Sequence, residues 1–191
     1  MKAMEQKILE GGQVLPGGIL KVGNFLNQQI DISFLKEIGE EIASLYRDCG
    51  INKILTVESS GIAVAVAAGY SLDVPVVFAK KHKSSNVDGP VYSTKVHSFT
   101  HNNDYNMVVS ADYLTSKDKV LLVDDFLANG QALRGLLDLV RQAGAECAGV
   151  AVAIEKRFQG GGDELRSEGV RVEPLACIES MSDDSITFCE V

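Results

Sequence analysis

Val120-Leu121-Leu122-Val123-Asp124-Asp125-Phe126-Leu127-Ala128-Asn129-Gly130-Gln131-Ala132 is the stretch that decides the fold. Four apolar residues in a row suit a strand covered on both faces, as in a parallel sheet. The acidic pair stands where that strand is expected to end, and a short loop with small residues at Ala128 and Gly130 leads into a helix. Leu133, Leu136, Leu137 and Val140 form the apolar stripe of that helix, with Gly144 at its stop. This order of elements makes a site at the carboxyl edge of a sheet. Free N–H groups at the helix start suit a phosphate, and the helix dipole favours negative charge there. The two carboxylates would repel the same phosphate, so they answer to hydrogen-bond donors, and a ribose diol offers two. A phosphate on the loop and a diol on the acidic pair describe a ribose 5-phosphate. The plainer reading is an ordinary βα unit with an acidic loop and no ligand.

Outward from this stretch, strands and helices alternate. Met4 to Glu10 suits a short helix, and Gly11-Gly12 and Pro16-Gly17-Gly18 break the chain after it. Phe34, Leu35, Ile38, Ile42, Leu45 and Tyr46 fall on one helical stripe, with Asp31 or Ser33 as cap and Gly50 as stop. Strands are expected at 53–57, 76–79, 120–123 and 148–154, with short late strands at 170–172 and 186–188. An Ala-rich helix is expected after Gly61, a helical turn at 163–168, and an antiparallel excursion from 91–99 and 106–110. The alternation implies an α/β fold with a parallel sheet. The broken N-terminal stretch and the tail are expected to form a small hood over the sheet edge.

Composition narrows the classes of function. A chain of 191 residues, 46% hydrophobic, buries one substantial core, so one domain is the expectation. A net charge of −8 with no long basic tract argues against nucleic acid as the main partner. No apolar stretch approaches membrane length, and residues 1–10 lack the apolar centre of a signal peptide. Cys49, Cys147, Cys177 and Cys189 are scattered without a C-x-x-C pair, which suits reduced packing thiols in a cytoplasmic protein.

Two further segments carry candidate chemistry. Glu58-Ser59-Ser60-Gly61 repeats the order of strand, small polar loop and helix start, so its N–H groups and hydroxyls suit a second phosphate group; the alternative is a βα turn with a serine cap. Lys80-Lys81-His82-Lys83 is a basic cluster in an acidic chain, suited to a pyrophosphate leaving group or to a solvated edge. The polar run 84–105 suits a lid that excludes water. His97 and His101 have a metal-like spacing, but the extended pattern around them and the missing third ligand argue against a transition metal. Gly160-Gly161-Gly162 is read as a flexible connector, because Asp163 and Glu164 follow it and would repel phosphate.

The Val120–Ala132 run resembles the phosphoribosyl diphosphate (PRPP) binding motif of the type I phosphoribosyltransferases. Many members of that family have a Thr-Gly-Gly-Thr-like loop, whereas this chain has Ala128-Asn129-Gly130-Gln131-Ala132, so phosphate contacts would rest on backbone N–H groups and on Asn129 or Gln131. The form Asp-Asp-Phe-Leu-Ala-Asn-Gly-Gln-Ala resembles bacterial members that act on xanthine, over nearly the whole chain. The resemblance implies a central, mostly parallel sheet flanked by helices, with a core of about 33–158 and a hood from about 1–32 plus the C-terminal region. It implies transfer of 5-phosphoribose from PRPP to N9 of xanthine, with Mg²⁺ bound mainly through PRPP, in a cytoplasmic homodimer. By position it implies Asp124 and Asp125 at the ribose, residues 128–132 at the 5-phosphate, and Ser59, Ser60, Gly61, Lys80, Lys81 and Lys83 at pyrophosphate. It also implies Leu20, Asn27 and Lys156 at the base, Lys156 meeting its 6-oxo group; by sequence alone Leu20 is equally a core residue, Lys156 an ordinary loop lysine and Phe158 either packing or base contact.

Three alternatives stay open at this point. A PRPP-sensing transcription regulator would carry an additional N-terminal DNA-binding domain, and about ten residues precede the first glycine pair. A phosphatase- or kinase-like site on the acidic pair would need a nucleophile motif or a Lys-Ser/Thr phosphate loop, neither of which is present. Guanine or hypoxanthine could replace xanthine, because an asparagine amide at the base can turn either its donor or its acceptor to the 2-position.

Overall fold

The structure is a computed structural model and describes residues 1–81, 89–98, 103–182 and 185–190. The chain opens with α1 (Lys2–Gly11), a small hairpin of β1 (Gln13–Leu15) and β2 (Ile19–Lys21), and a π-helical turn at Gly23–Asn27. There follow α2 (Ile32–Tyr46), β3 (Lys53–Val57), α3 (Gly61–Leu72) and β4 (Val76–Ala79). A second hairpin, β5 (Val91–Ser98) and β6 (Asn103–Ser110), leads to β7 (Lys119–Leu127), α4 (Gln131–Gln142) and β8 (Glu146–Lys156). The chain closes with α5 (Gly161–Ser167), β9 (Val172–Ser182) and β10 (Ser185–Phe188).

Six strands form the central sheet in the order β10-β9-β8-β7-β3-β4, parallel throughout except for the antiparallel edge strand β10. The inner strands are buried on both faces, which is why they read as unbroken apolar runs. Leu121, Val123, Ala151 and Ala153 face a core shared with α1, α2 and α3. Val120, Leu122, Val150 and Val152 face the opposite core, built with α4 and the β5–β6 hairpin. Helices α3, α4 and α5 carry the crossovers that parallel pairing requires. The direction of winding reverses between β3 and β7: β3 leads outward to β4, and β7 leads the other way to β8 and β9.

Several boundaries differ from the sequence expectation, each for a physical reason. β7 does not stop at Val123 but runs through the acidic pair to Leu127, because β8 continues to pair with it as far as Leu127–Glu155. β8 likewise ends at Lys156, so this lysine is a strand residue and not a loop residue. The late strand expected at 170–172 is the start of the eleven-residue β9, which joins the central sheet through pairs from Val150–Val172 to Lys156–Ile178 before turning into β10. Pro16-Gly17-Gly18 does not merely interrupt the chain; it turns β1 into β2, both glycines adopting positive φ. The cysteine expectation also changes. Cys177 and Cys189 are joined by a disulfide, because the β9–β10 hairpin sets their Cα atoms 5.4 Å apart and pairs the Cys189 N–H with the Cys177 carbonyl at 2.8 Å. Cys49 and Cys147 are free and half-buried.

Asp31 caps α2 by accepting the Phe34 N–H at 3.1 Å. Gly39, in the middle of α2, is where α3 crosses closest: a Cβ there would strike the Ala67 carbonyl oxygen and lie 2.6 Å from its carbon. Helix propensity alone would have Gly39→Ala stabilise the protein by about 1 kcal/mol. The close crossing predicts the reverse, a loss of roughly 1–3 kcal/mol from overpacking, read as a lower midpoint in urea at unchanged slope.

Candidate active site

The reversal between β3 and β7 opens a cleft at the carboxyl ends of both strands. β3 pairs with β7 only from Lys53–Val120 to Leu55–Leu122, so beyond Leu122 that side of β7 has no strand neighbour among the described residues. Two loops leave the sheet here. Glu58-Ser59-Ser60 carries β3 into α3, and Ala128-Asn129-Gly130 carries β7 into α4. Neither helix has a side-chain cap. Both helix starts line a shared cavity of about 640 Å³, and a helix N-terminus favours anions.

Asp124 and Asp125 stand between the two helix starts and line this cavity with Ser59, Ser60, Gly61, residues 128–132, Lys81 and Lys156. Asp124 is buried at 6% exposure, and one of its oxygens accepts the Asp125 N–H at 2.9 Å. Burial first, and the neighbouring Asp125 charge second, hold the Asp124 carboxyl well above the ordinary carboxylate range. Gly61 allows this approach: a Cβ there would lie 2.6 Å from an Asp124 oxygen and strike the Thr56 hydroxyl beneath it. Asp125 points toward the N-terminal segment, where the Asn27 amide donates to it at 3.3 Å. Gly130, at positive φ, makes the turn into α4, and the Asn129 side chain accepts the Gln131 N–H at 3.4 Å.

Cations meet the cavity from two sides. Lys81 follows β4; its N–H donates to the Glu58 carboxylate at 2.6 Å and its ammonium lies 5.6 Å from the centre of the Tyr105 ring. Lys156, at the end of β8, donates to the Gly18 carbonyl at 2.9 Å and lies 5.5 Å from the centre of the Phe126 ring. Partial burial holds its ammonium below the usual lysine range. Lys80 turns into a backbone bridge with Val108 and does not line the cavity. Lys83, His101 and parts of the 84–105 run expected as a lid lie outside the described residues. His97 pairs with Asp104 at 2.7 Å in the hairpin. Leu20 is buried in the core with Met4 and Ile8 and does not line the cavity, so its place here is packing. Phe158 is partly exposed beside Gly18.

Sequence reasoning missed four contributors: Glu58, which anchors the Lys81 backbone; Tyr105, which lies under the Lys81 ammonium; Phe126, beside Lys156; and the Gly17–Ile19 backbone. Glu58 and Phe126 carried a usable signal, because each sits inside one of the two quoted loop motifs. The others are brought in by tertiary pairing. Among the described residues, no group of three or more His, Cys, Asp or Glu side chains is arranged to hold a metal ion by itself.

Residues 27–168 match the phosphoribosyl transferase domain family. The chain is 50% identical over 189 residues to xanthine phosphoribosyltransferase 2 of Clostridium botulinum strain Langeland, covering 98% of this chain and 100% of that one. It is 49% identical over 190 residues to xanthine phosphoribosyltransferase of Oceanobacillus iheyensis, covering 100% and 98%. Among solved structures, adenine phosphoribosyl transferase from Trypanosoma brucei, in complex with AMP, pyrophosphate and ribose-5-phosphate, superposes with a TM-score of 0.79 at 20% identity, covering 95% of this chain and 82% of that one. That likeness speaks to the fold.

The buried Asp124 carboxyl yields a prediction of sign. Because its pKa is raised on folding, the folded protein binds more protons than the unfolded chain above the ordinary carboxylate pKa. Its contribution to stability therefore falls as pH rises through that window, until the folded pKa is passed. Asp124→Asn removes the charge but keeps the shape. In thermal melts without ligand, the variant is expected to be at least as stable as wild type at neutral pH and to lose part of this pH slope.

Proposed function

The chain belongs to the phosphoribosyl transferase family, and from that premise we propose that it transfers the 5-phosphoribosyl group of PRPP to N9 of xanthine, giving XMP and pyrophosphate. One observation carries the reading: two uncapped helix starts flank a carboxylate pair in a single cavity, which matches the two anionic ends and the central diol of PRPP. The near full-length identity to relatives named for xanthine supports that base over guanine or hypoxanthine.

In this reading the α4 start, residues 128–132, holds the 5-phosphate through backbone N–H groups. Ser59, Ser60 and Gly61 hold the pyrophosphate at the α3 start. Lys81 supplies a cation there as the C1–O bond breaks and pyrophosphate leaves with the electron pair. Lys80 and Lys83 belong to the same basic segment. Asp124 and Asp125 hold the ribose hydroxyls, and their charge stabilises the positive ring that develops as the leaving group departs. N9 of the base forms the new bond to C1, and its proton passes to solvent or to the departing pyrophosphate. Lys156 donates to the 6-oxo group and Asn27 meets the base edge, with the N-terminal segment 1–32 and the C-terminal region as the hood above; Leu20 supports that hood from the core. Mg²⁺ would be held mainly through the hard oxygens of PRPP and would neutralise pyrophosphate charge. In the same reading the protein acts in the cytoplasm as a homodimer. No helix among the described residues is long and apolar enough to cross a membrane.

The test is a spectrophotometric assay with PRPP and Mg²⁺, comparing xanthine, guanine, hypoxanthine and uracil. Xanthine is expected to turn over far above the rest, and Asp125→Asn to lower kcat by on the order of 10²–10³-fold. Turnover of guanine above xanthine would overturn the choice of base. No turnover of any base, with PRPP still bound, would overturn the enzyme reading in favour of a PRPP sensor.

A further inference from the structure

Gly160-Gly161-Gly162 lies outside the motif that announces the fold, yet Gly161 is built into the back of the 128–130 loop. The Gly161 N–H donates to the Ala128 carbonyl at 3.1 Å. A Cβ on Gly161 would lie 2.5 Å from both the Ala128 oxygen and the Gly130 nitrogen and would strike the Asn129 carbonyl carbon. Gly162 is confined from the other side, where a Cβ would strike the Glu155 carboxylate. Glu155 is fully buried, and both of its oxygens are held by Arg166 of α5, at 2.8 and 2.7 Å. Arg166 also donates to the Val172 carbonyl at 3.3 Å, which ties α5 to the start of β9. A two-toothed ion pair to a buried carboxylate is a poor source of stability but a stiff one of position, because Glu155 left alone would be a buried unpaired charge.

We infer that the Glu155–Arg166 pair, with Gly162 against it and Gly161 against the loop, forms a positioning buttress that sets the place of the 5-phosphate loop for binding PRPP. The inference rests on the reading of residues 128–132 as the 5-phosphate site. The buttress stands behind the loop and touches no substrate. Glu155 is also the neighbour of Lys156 on β8, and consecutive strand residues face opposite ways. One points to Arg166 and the loop support, the other to the Gly18 carbonyl and the base side of the cavity. The end of β8 thereby fixes the distance between the phosphate site and the base site. The connector expected from sequence as flexible is instead a buried spacer whose small size is the requirement.

The steady-state kinetics of full-length wild type, Gly161→Ala, Arg166→Lys and Gly169→Asn, with PRPP and xanthine varied separately, test this. An alanine at 161 must displace the loop by about 1 Å to reach ordinary contact, and a misplacement of that size costs on the order of 10²-fold. The expected result is a rise of that order in the KM for PRPP, with the KM for xanthine near wild type. Arg166→Lys keeps the charge but loses the two-toothed geometry, so it is expected to move the KM for PRPP the same way and less. Gly169, beyond α5 with open space around it and positive φ, tolerates asparagine and is expected to leave both constants unchanged. A folded Gly161→Ala with wild-type KM for PRPP would overturn the inference, as would equal rises in both KM values. Should Gly161→Ala fail to fold, Arg166→Lys decides by the same criterion. Absence of PRPP turnover in wild type would instead overturn the functional reading, so the two failures are distinct.

Discussion

The parting of β3 and β7 is the constraint on which the rest of the molecule depends. Two parallel strands hydrogen-bonded at their amino ends and wound outward in opposite directions leave a crevice at their carboxyl ends, because their following helices cross to opposite faces of the sheet. α3 packs into one core and α4 into the other. Each helix start consequently reaches the crevice from its own side. The acidic pair occupies the strand segment that runs between them, with β8 as its sole strand partner past Leu122 among the described pairs. Anion sites at two ends and carboxylates in the middle are thus a consequence of winding, and the side chains refine what the backbone has arranged.

Close approach is the second requirement, and glycine meets it at the points where backbone or carboxylate must touch. Gly61 lets the start of α3 press against Asp124, and Gly161 lets the start of α5 press against the phosphate loop. Neither uses positive φ; each is needed for space. Packing this tight excludes water from the rear of the cavity, which raises the Asp124 pKa and strengthens the field that its charged form exerts on a bound sugar. In the proposed role, the same burial that penalises the free carboxylate would strengthen its action on a developing positive centre, so stability and electrostatic power are set against each other at this residue.

How much of this was legible in the sequence depends on which force set each element. β3 and β4 fall at 53–57 and 76–79 as expected, although only β3 is a buried inner strand, Thr56 included, and β4 is the more exposed edge. β7 and β8 run longer than their apolar stretches. Asp124-Asp125 and Glu155-Lys156 read as loop by composition, but cross-strand pairing holds them extended. The glycine triplet misleads in the same direction: local propensity describes a hinge, whereas tertiary contact has selected small residues for a buried joint. The Cys177–Cys189 pairing was out of reach, since it follows from a hairpin whose register no spacing rule reveals.

The N-terminal segment shows why the base side of the cavity is harder to read than the phosphate side. The proposed phosphate sites rest on backbone and helix direction, which a motif encodes locally. The proposed base site is assembled from distant pieces: Asn27 in a π-helical turn, Lys156 at a strand end 129 positions later, and the Gly18 carbonyl in a hairpin turn. Asn27 donates to Asp125 and Lys156 donates to Gly18. Both polar groups therefore already have acceptors. Lys156 has further donors to offer a 6-oxo group without releasing Gly18. Asn27 has its amide oxygen to turn toward a donor on the base while its nitrogen keeps Asp125. The bond from Asn27 to Asp125 thus joins the proposed base side to the proposed ribose side, and it orients the asparagine by the carboxylate assigned to the sugar in that proposal.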